Sequence, residues 1–118
     1  MHEISVASNI VDELLLQAKN KKIGKIKKVF LEVGELTSLG IEQLKFAYGI
    51  LAKDEIIKGS KLKIIKKKAF GECSSCKKNI RIFDKNLSLP ILFCKKCNKR
   101  LRIISGNETI IRKIVCAQ

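Results

Sequence analysis

The residues best suited to chemistry are four cysteines in two Cys-x-x-Cys pairs, Cys73 with Cys76 and Cys94 with Cys97. A pair at this spacing forms a tight turn that directs two sulfurs toward one ion, and a second pair completes a tetrahedron. Thiolates suit Zn²⁺, which is borderline-soft and prefers tetrahedral coordination. The pattern therefore predicts a zinc site, and a structural one, because four protein ligands leave no open position.

Redox-active dithiols and disulfides are the two other interpretations of these pairs. Both are less expected in the reducing cytoplasm, which is the compartment that the sequence favours, and no thioredoxin-like βαβ pattern surrounds either pair. The chain start lacks the positive region of a signal peptide, and Val11–Leu16 is interrupted by Asp12 and Glu13. We therefore expect a cytoplasmic protein, with no contact to the membrane, since no apolar run approaches the roughly 20 residues of a bilayer span.

The chain start is the second place where chemistry is expected. His2 is the only histidine, and a residue of this size generally prevents removal of the initiator, so Met1 should keep a free α-amine. That amine, the deprotonated amide nitrogen of His2 and its imidazole can chelate a metal in adjacent rings, an arrangement that Ni(II) and Cu(II) favour. Glu3 could add a backbone amide or a carboxylate oxygen. A lone histidine near a terminus usually has no such role, so these residues taken alone favour a chain start that binds no metal.

The elements that position these residues follow from the spacing of the apolar side chains. Residues 4 to about 20 have an apolar stripe at helical spacing, and alternation over Ile26–Val33 predicts a strand. A second helix is expected over Ile41–Lys53, with Ser38 as its cap.

Short strands are expected over Leu62–Ile65 and Thr109–Val115, with Cys116 at an ordinary apolar position. The segment from Gly71 to about Ser105, which holds the cysteine pairs, lies between these two strands. We therefore expect it to be an insertion into an α/β domain, not a tail.

The charge of the chain raises a different possibility. There are 25 basic and 11 acidic side chains, a formal net charge of +14. Such a balance is found in nucleic-acid-binding proteins, so a zinc-ribbon nucleic-acid binder is the main alternative function. Aromatic residues for base stacking are scarce, however, and the lysines are spread over the whole length, as on a solvated surface.

Several motifs together resemble the HypA family, the nickel metallochaperones of NiFe-hydrogenase maturation, some of which also serve urease. The motifs are Met1–Ser5 before an aliphatic helix, Val33–Ser38, Glu42–Ala47, the paired cysteines, and Gly106-Asn107-Glu108 before the last strand. The resemblance covers nearly the whole chain. It implies an α+β fold, in which two helices pack on a three-stranded sheet and a zinc-ribbon-like domain is inserted.

The resemblance also implies that nickel and zinc bind in different domains. Residues 1–70 and 106–118 would form the nickel-binding domain, with Ni(II) held by Met1, His2 and Glu3. Residues 71–105 would form the zinc-binding domain. The expected partners are the GTPase HypB and the hydrogenase large subunit, and the sequence leaves a homodimer open.

No catalytic residues stand out, so we expect a carrier and not an enzyme. A second alternative is an adaptor that binds no nickel, whose zinc unit only docks other proteins.

Overall fold

The structure, a computed structural model, describes residues 2–83 and 89–117. Its strands form two three-stranded sheets, ordered β2-β1-β6 and β4-β3-β5. In chain order the elements are α1 (Glu3–Lys21), β1 (Ile26–Gly34), a 3-10 helix (Glu35–Thr37), α2 (Ile41–Leu51), β2 (Lys61–Lys67), β3 (Phe70–Glu72), β4 (Asn79–Arg81), β5 (Arg102–Ser105) and β6 (Thr109–Cys116). The predicted α+β fold, with two helices and a three-stranded sheet, is confirmed.

Both helices pack on one face of the first sheet. The apolar stripe of α1 is buried as its spacing predicted, and Leu14 at its centre is fully inaccessible to solvent. In α2, Leu44, Ala47 and Tyr48 are buried. These side chains form one core with Val29 and Leu31 of the central strand β1. Aliphatic burial at about 25 cal/mol per Å² is therefore the main force that holds this half together.

The central strand β1 has a parallel neighbour on one side and an antiparallel neighbour on the other. It runs parallel to β2 and antiparallel to β6, so the last strand returns beside the first. The second sheet is formed entirely by residues between β2 and β6 in the chain.

Two glycines allow a close backbone approach where β6 begins. A Cβ atom on Gly34 would overlap the carbonyl oxygen of Gly106, and one on Gly106 would overlap Ala69. Gly106 also has φ +92°, in the left-handed region that glycine adopts without strain. The contact is held by hydrogen bonds from the Gly34 N–H to the Glu108 carbonyl and from the Leu36 N–H to the Gly106 carbonyl.

An ion pair joins the second sheet to the 3-10 helix that follows β1, close to this approach. The Arg81 guanidinium of β4 donates two hydrogen bonds to the Glu35 carboxylate, at 2.9 and 2.6 Å, and a third at 3.2 Å to the Ala69 carbonyl. This two-point contact lowers the pKa of Glu35 below its usual value. Bidentate, partly buried pairs are the kind that contribute to stability, so this pair helps fix the position of the second sheet.

The structure corrects two local expectations. Ser38 does not cap α2, because it adopts a left-handed conformation (φ 58°) at the end of the 3-10 helix. The N-cap residue of α2 is Gly40. Cys116 lies in the last strand, as expected, but its side chain is exposed and is not part of an apolar core. Among the helices in residues 2–83 and 89–117, none combines the length and apolarity that crossing a bilayer requires.

The approach of Gly34 to Gly106 can be tested by substitution. Gly34→Ala should lower the free energy of unfolding by about 2 kcal/mol or more, because the added methyl group forces the backbones apart. The matched control is Gly49→Ala in α2, where a Cβ would meet nothing within 4 Å. That change should raise stability by about 0.5–1 kcal/mol, since alanine is the better helix former. Chemical denaturation of both variants measures the difference, and equal effects would contradict this account.

Candidate metal centre

Each cysteine pair lies in a tight turn closed by its own backbone. In the first turn, the Lys77 N–H donates to the Cys73 carbonyl at 2.8 Å, and the Cys73 N–H donates to the Lys78 carbonyl at 3.3 Å. Lys77, directly after the second cysteine, has a left-handed backbone with φ 59°. This reversal turns the chain back, so that both side chains of the pair project to one side.

The second turn repeats the first. The Asn98 N–H donates to the Cys94 carbonyl, and the Cys94 N–H donates to the Lys99 carbonyl, both at 2.8 Å. Asn98 takes the left-handed conformation here, with φ 56°. Asparagine tolerates this region better than most residues, whereas lysine has no such preference.

The two turns bring all four sulfurs together. The Sγ atoms lie within 4.8 Å of one another, with Cys76 Sγ 3.0 Å from Cys97 Sγ and 4.0 Å from Cys94 Sγ. In a tetrahedral site with Zn–S bonds of about 2.3 Å, neighbouring sulfurs are about 3.8 Å apart. The donors therefore have the type, number and spacing that a tetrahedral thiolate site requires.

The sulfurs differ in how readily they lose their protons. Backbone N–H groups of Cys76 and Ser75 point at Cys73 Sγ and lower the pKa of that thiol to about 7. The neighbouring sulfurs, Cys76 first among them, raise the pKa of Cys97 to about 12. Four thiolates in so small a volume repel one another, and a divalent cation removes that repulsion. Metal binding at this cluster should therefore release protons.

The residues around the sulfurs form only a small core. Within the metal-binding unit (residues 70–83 and 89–105), the buried cluster consists of Cys73, Cys94 and Leu101, against which Ile80 and Ile91 pack. So few apolar side chains give little hydrophobic stabilisation, and units of this size usually need a metal or disulfides.

At the chain start, the structure places the predicted nickel ligands on either side of a helix boundary. Met1 lies outside the described residues. His2 is the N-cap residue of α1; it is exposed and has an extended backbone (φ −88°, ψ 147°). Glu3 is the first residue of the helix. The carbonyl of His2 accepts the first helical hydrogen bond, from Val6 at 3.1 Å.

The Glu3 carboxylate already has a partner within the fold. Its Oε2 accepts a hydrogen bond of 2.9 Å from the N–H of Gly40, which precedes α2. This bond, with a smaller contribution from the N–H of Glu3 itself, lowers the pKa of the carboxyl group. The contact fixes the start of α1 against the start of α2.

Comparison with known proteins identifies the family. The family model described as "Hydrogenase/urease nickel incorporation, metallochaperone, hypA" matches residues 1–116. The chain belongs to the HypA family. HypA proteins are metallochaperones and maturation factors and not a family of catalysts, and membership implies interaction with the hydrogenase maturation machinery.

Individual HypA proteins resemble the chain over nearly its full length. The hydrogenase maturation factor HypA of Crocosphaera subtropica is 34% identical over 115 residues, covering 97% of this chain and 94% of that protein. HypA of Methanocaldococcus jannaschii is 33% identical over 120 residues, covering 95% and 94%. The solution structure of the Ni metallochaperone HypA from Helicobacter pylori has a TM-score of 0.72 at 24% identity, covering 98% of this chain and 97% of that one, which supports the fold.

Sequence patterns located the cysteines of this HypA protein but not the long-range contacts elsewhere in the fold. Two of these contacts join residues far apart in the chain: Arg81 with Glu35, and the Gly40 N–H with the Glu3 carboxylate. No local sequence pattern predicts such contacts. The left-handed residue after each pair could have been suspected at Asn98, but not at Lys77.

The cluster predicts a clear result for removal of one thiolate. Cys76→Ser should lose most of the bound metal and the amide-exchange protection of residues 70–83 and 89–105, because the small core cannot hold the unit alone. The helices and the first sheet should keep their protection. Cys116→Ser is the matched control, since this exposed cysteine is far along the chain from both pairs. Unchanged protection in Cys76→Ser would show that the unit does not depend on a metal.

Proposed function

We propose that the protein binds Ni(II) as cargo at its N-terminus and delivers it to the hydrogenase large subunit during NiFe-hydrogenase maturation. The GTPase HypB assists in this delivery, and urease is a second possible recipient. Zn(II) at the four cysteines has a structural role. The protein acts in the cytoplasm as a carrier and not as a catalyst. The observation that carries the proposal is an exposed His2 beside backbone nitrogens that α1 does not use for its helical hydrogen bonds, in a chain of the HypA family.

The position of His2 supports a chelate through backbone nitrogens. The first N–H groups of an α-helix have no carbonyl of the same helix to donate to, so those of His2 and Glu3 are not needed by α1. Deprotonation of such an amide costs no helical hydrogen bond. The Met1 amine, the His2 amide and the His2 imidazole then offer Ni(II) three nitrogens in one plane, an arrangement that the ion favours.

For Glu3, the geometry favours its backbone nitrogen over its carboxylate as a nickel ligand. The carboxylate is occupied by the Gly40 N–H, and releasing it would detach α1 from the start of α2. The nitrogen lies next to that of His2 and can extend the same plane. Glu3 thus contributes to the site through its backbone, while its side chain holds the site in place.

The cysteine cluster fits Zn(II) by the chemistry and spacing of its donors. Cys73, Cys76, Cys94 and Cys97 would hold the ion, which when bound neutralises the mutual repulsion of the thiolates and links the two turns. With four protein ligands, no position is left for a substrate. The ion thereby gives the metal-binding unit the stability that its small core lacks.

HypB and the hydrogenase large subunit are the proposed partners. Exchange of nickel with such a partner suits a site at the end of the chain, where incoming ligands can attack the ion. Whether a homodimer forms is open to direct measurement by sedimentation of the metal-loaded protein.

The nickel site can be tested by titrating Ni(II) into three zinc-loaded proteins: the native chain, His2→Ala, and a chain extended by five residues at its N-terminus. Loss of a residue that only hydrogen-bonds to a metal ligand already lowers metal affinity about 10–100-fold. Loss of a direct ligand should therefore lower the affinity at least as much. Both altered proteins should lose nickel binding to this extent. The length of the extension matters, because an extension by roughly a single residue would place His2 third in the new chain and create a different nitrogen chelate.

Two results would contradict the proposal. One is equal nickel affinity in all three proteins. The other is a mass showing that the native chain starts after Met1 or is acetylated there. Acidification should weaken binding to the native chain, because the α-amine, with an ordinary pKa of about 8, and the amides bind only when deprotonated.

The role of Glu3 gives a separate prediction. Glu3→Ala keeps the backbone nitrogen but loses the bond to Gly40, so the melting temperature should fall while nickel affinity changes far less than in His2→Ala. Thermal denaturation and nickel titration measure the two effects. An affinity loss in Glu3→Ala as large as that in His2→Ala would instead identify the carboxylate as a ligand.

A further inference from the structure

The metal-binding unit has a groove on its surface beside the cysteine cluster. The groove has a volume of about 290 Å³. Its apolar lining comes from Ile80, Ile91 and Phe93, and its basic lining from Lys78, Lys95 and Lys96, with two of the cysteines between them. An apolar floor beside charged side chains is the arrangement found at the centre and rim of protein interfaces.

Phe93 is the most exposed part of the floor. Half of its surface is accessible, in a unit that buries few of its apolar side chains. Its backbone is fixed by a bridge to Arg100, directly beside the turn of the second cysteine pair. Phe93 is therefore held beside a hydrogen-bonded turn while half of it remains in contact with solvent. Aromatic side chains are enriched among the residues that anchor binding partners.

The metal-binding unit carries more positive charge than is needed to balance the negative charge of a loaded metal site. From Cys73 to Leu101 the sequence has eight basic residues and one acidic residue, Asp84, which lies outside the described residues. A divalent ion with four thiolates carries a net charge of −2, which two lysines would balance. Arg81 is paired with Glu35, whereas none of the ion pairs among residues 2–83 and 89–117 involves a lysine of the groove. The groove thus has cations beyond those that the fold and the metal require.

We propose that this groove binds an acidic segment of a partner protein, with one large apolar side chain of that segment seated against Phe93. The excess of lysines selects negative charge, and the volume suits one or two apolar side chains. This inference does not depend on nickel binding, since it rests only on the metal-binding unit.

The floor favours a peptide over a nucleic acid. Single-stranded nucleic acids bind on aromatic side chains that stack successive bases, and of the groove residues only Phe93 is aromatic. Ile80 and Ile91 offer no flat face for a second base. Aliphatic side chains beside an aromatic ring instead form a suitable contact for a leucine or phenylalanine.

The proposal can be tested with the full-length, zinc-loaded protein labelled with ¹⁵N. The probe is a twelve-residue peptide of aspartate and glutamate with a single central leucine. A companion peptide carries serine in place of that leucine, and a twelve-nucleotide oligothymidine supplies negative charge without a peptide. The leucine peptide should shift the amide resonances of Ile80, Ile91, Phe93 and Lys95, and it should bind more tightly than the other two probes.

Two variants separate the groove from general electrostatic attraction. Lys95→Glu with Lys96→Glu should weaken binding of the leucine peptide about tenfold or more, because both changes reverse charge at the rim. Lys27→Glu with Lys53→Glu makes the same change of net charge at exposed positions outside the unit, and should have a much smaller effect. Phe93→Ala should remove the preference for leucine over serine. Metal content and the amide spectrum establish that each variant is folded.

The proposal is wrong if the serine peptide or the oligothymidine binds as tightly as the leucine peptide. It is also wrong if both lysine pairs weaken binding equally, or if the resonances of the groove do not move. Tight binding of the oligothymidine with shifts at the groove would identify the unit as a nucleic-acid-binding surface instead.

Discussion

The pairing of β6 with β1 is the constraint on which the rest of the structure depends. β2 ends and β6 begins beside the same end of β1, because Lys67 lies opposite Gly34 and Thr109 opposite Val33. Everything between them must therefore leave and return at one place. The glycine approach and the Arg81–Glu35 ion pair lie at that place and hold the second sheet there. A large insertion is compatible with the first core because both of its ends are fixed by the same strand.

The two halves of the chain are stabilised by different forces. The helices and the first sheet share a continuous aliphatic core, with Leu14, Leu31 and Leu44 fully buried. Among its described residues, the side chains that the metal-binding unit buries are those of Cys73, Cys94, Leu101 and Ile82. A metal ion bound by the four sulfurs would supply free energy of folding that this small core lacks, so metal loading and order in the unit would be one equilibrium.

Much of this architecture could be predicted from local sequence patterns. Helical spacing predicted α1 and α2, alternation predicted β1, and the spacing of the cysteines predicted a cluster that the structure brings together. The failures have physical causes. Ser38 looked like a cap, but the 3-10 helix after β1 uses it to reverse the chain. The partners of Glu3 and Glu35 lie far away in sequence, and only the packing of the elements decides which backbone or guanidinium group reaches them.

The closed turns around the cysteine pairs have a consequence for how such a site can change during evolution. The direction of each pair of sulfurs is determined within six residues, from Cys73 to Lys78 and from Cys94 to Lys99. Residues 79–93 connect the two turns and supply no sulfur donor of their own. Substitutions in this connection that keep β4 and the Arg81–Glu35 pair should therefore leave the arrangement of the four sulfurs unchanged, while the surface of the connection can diversify between lineages.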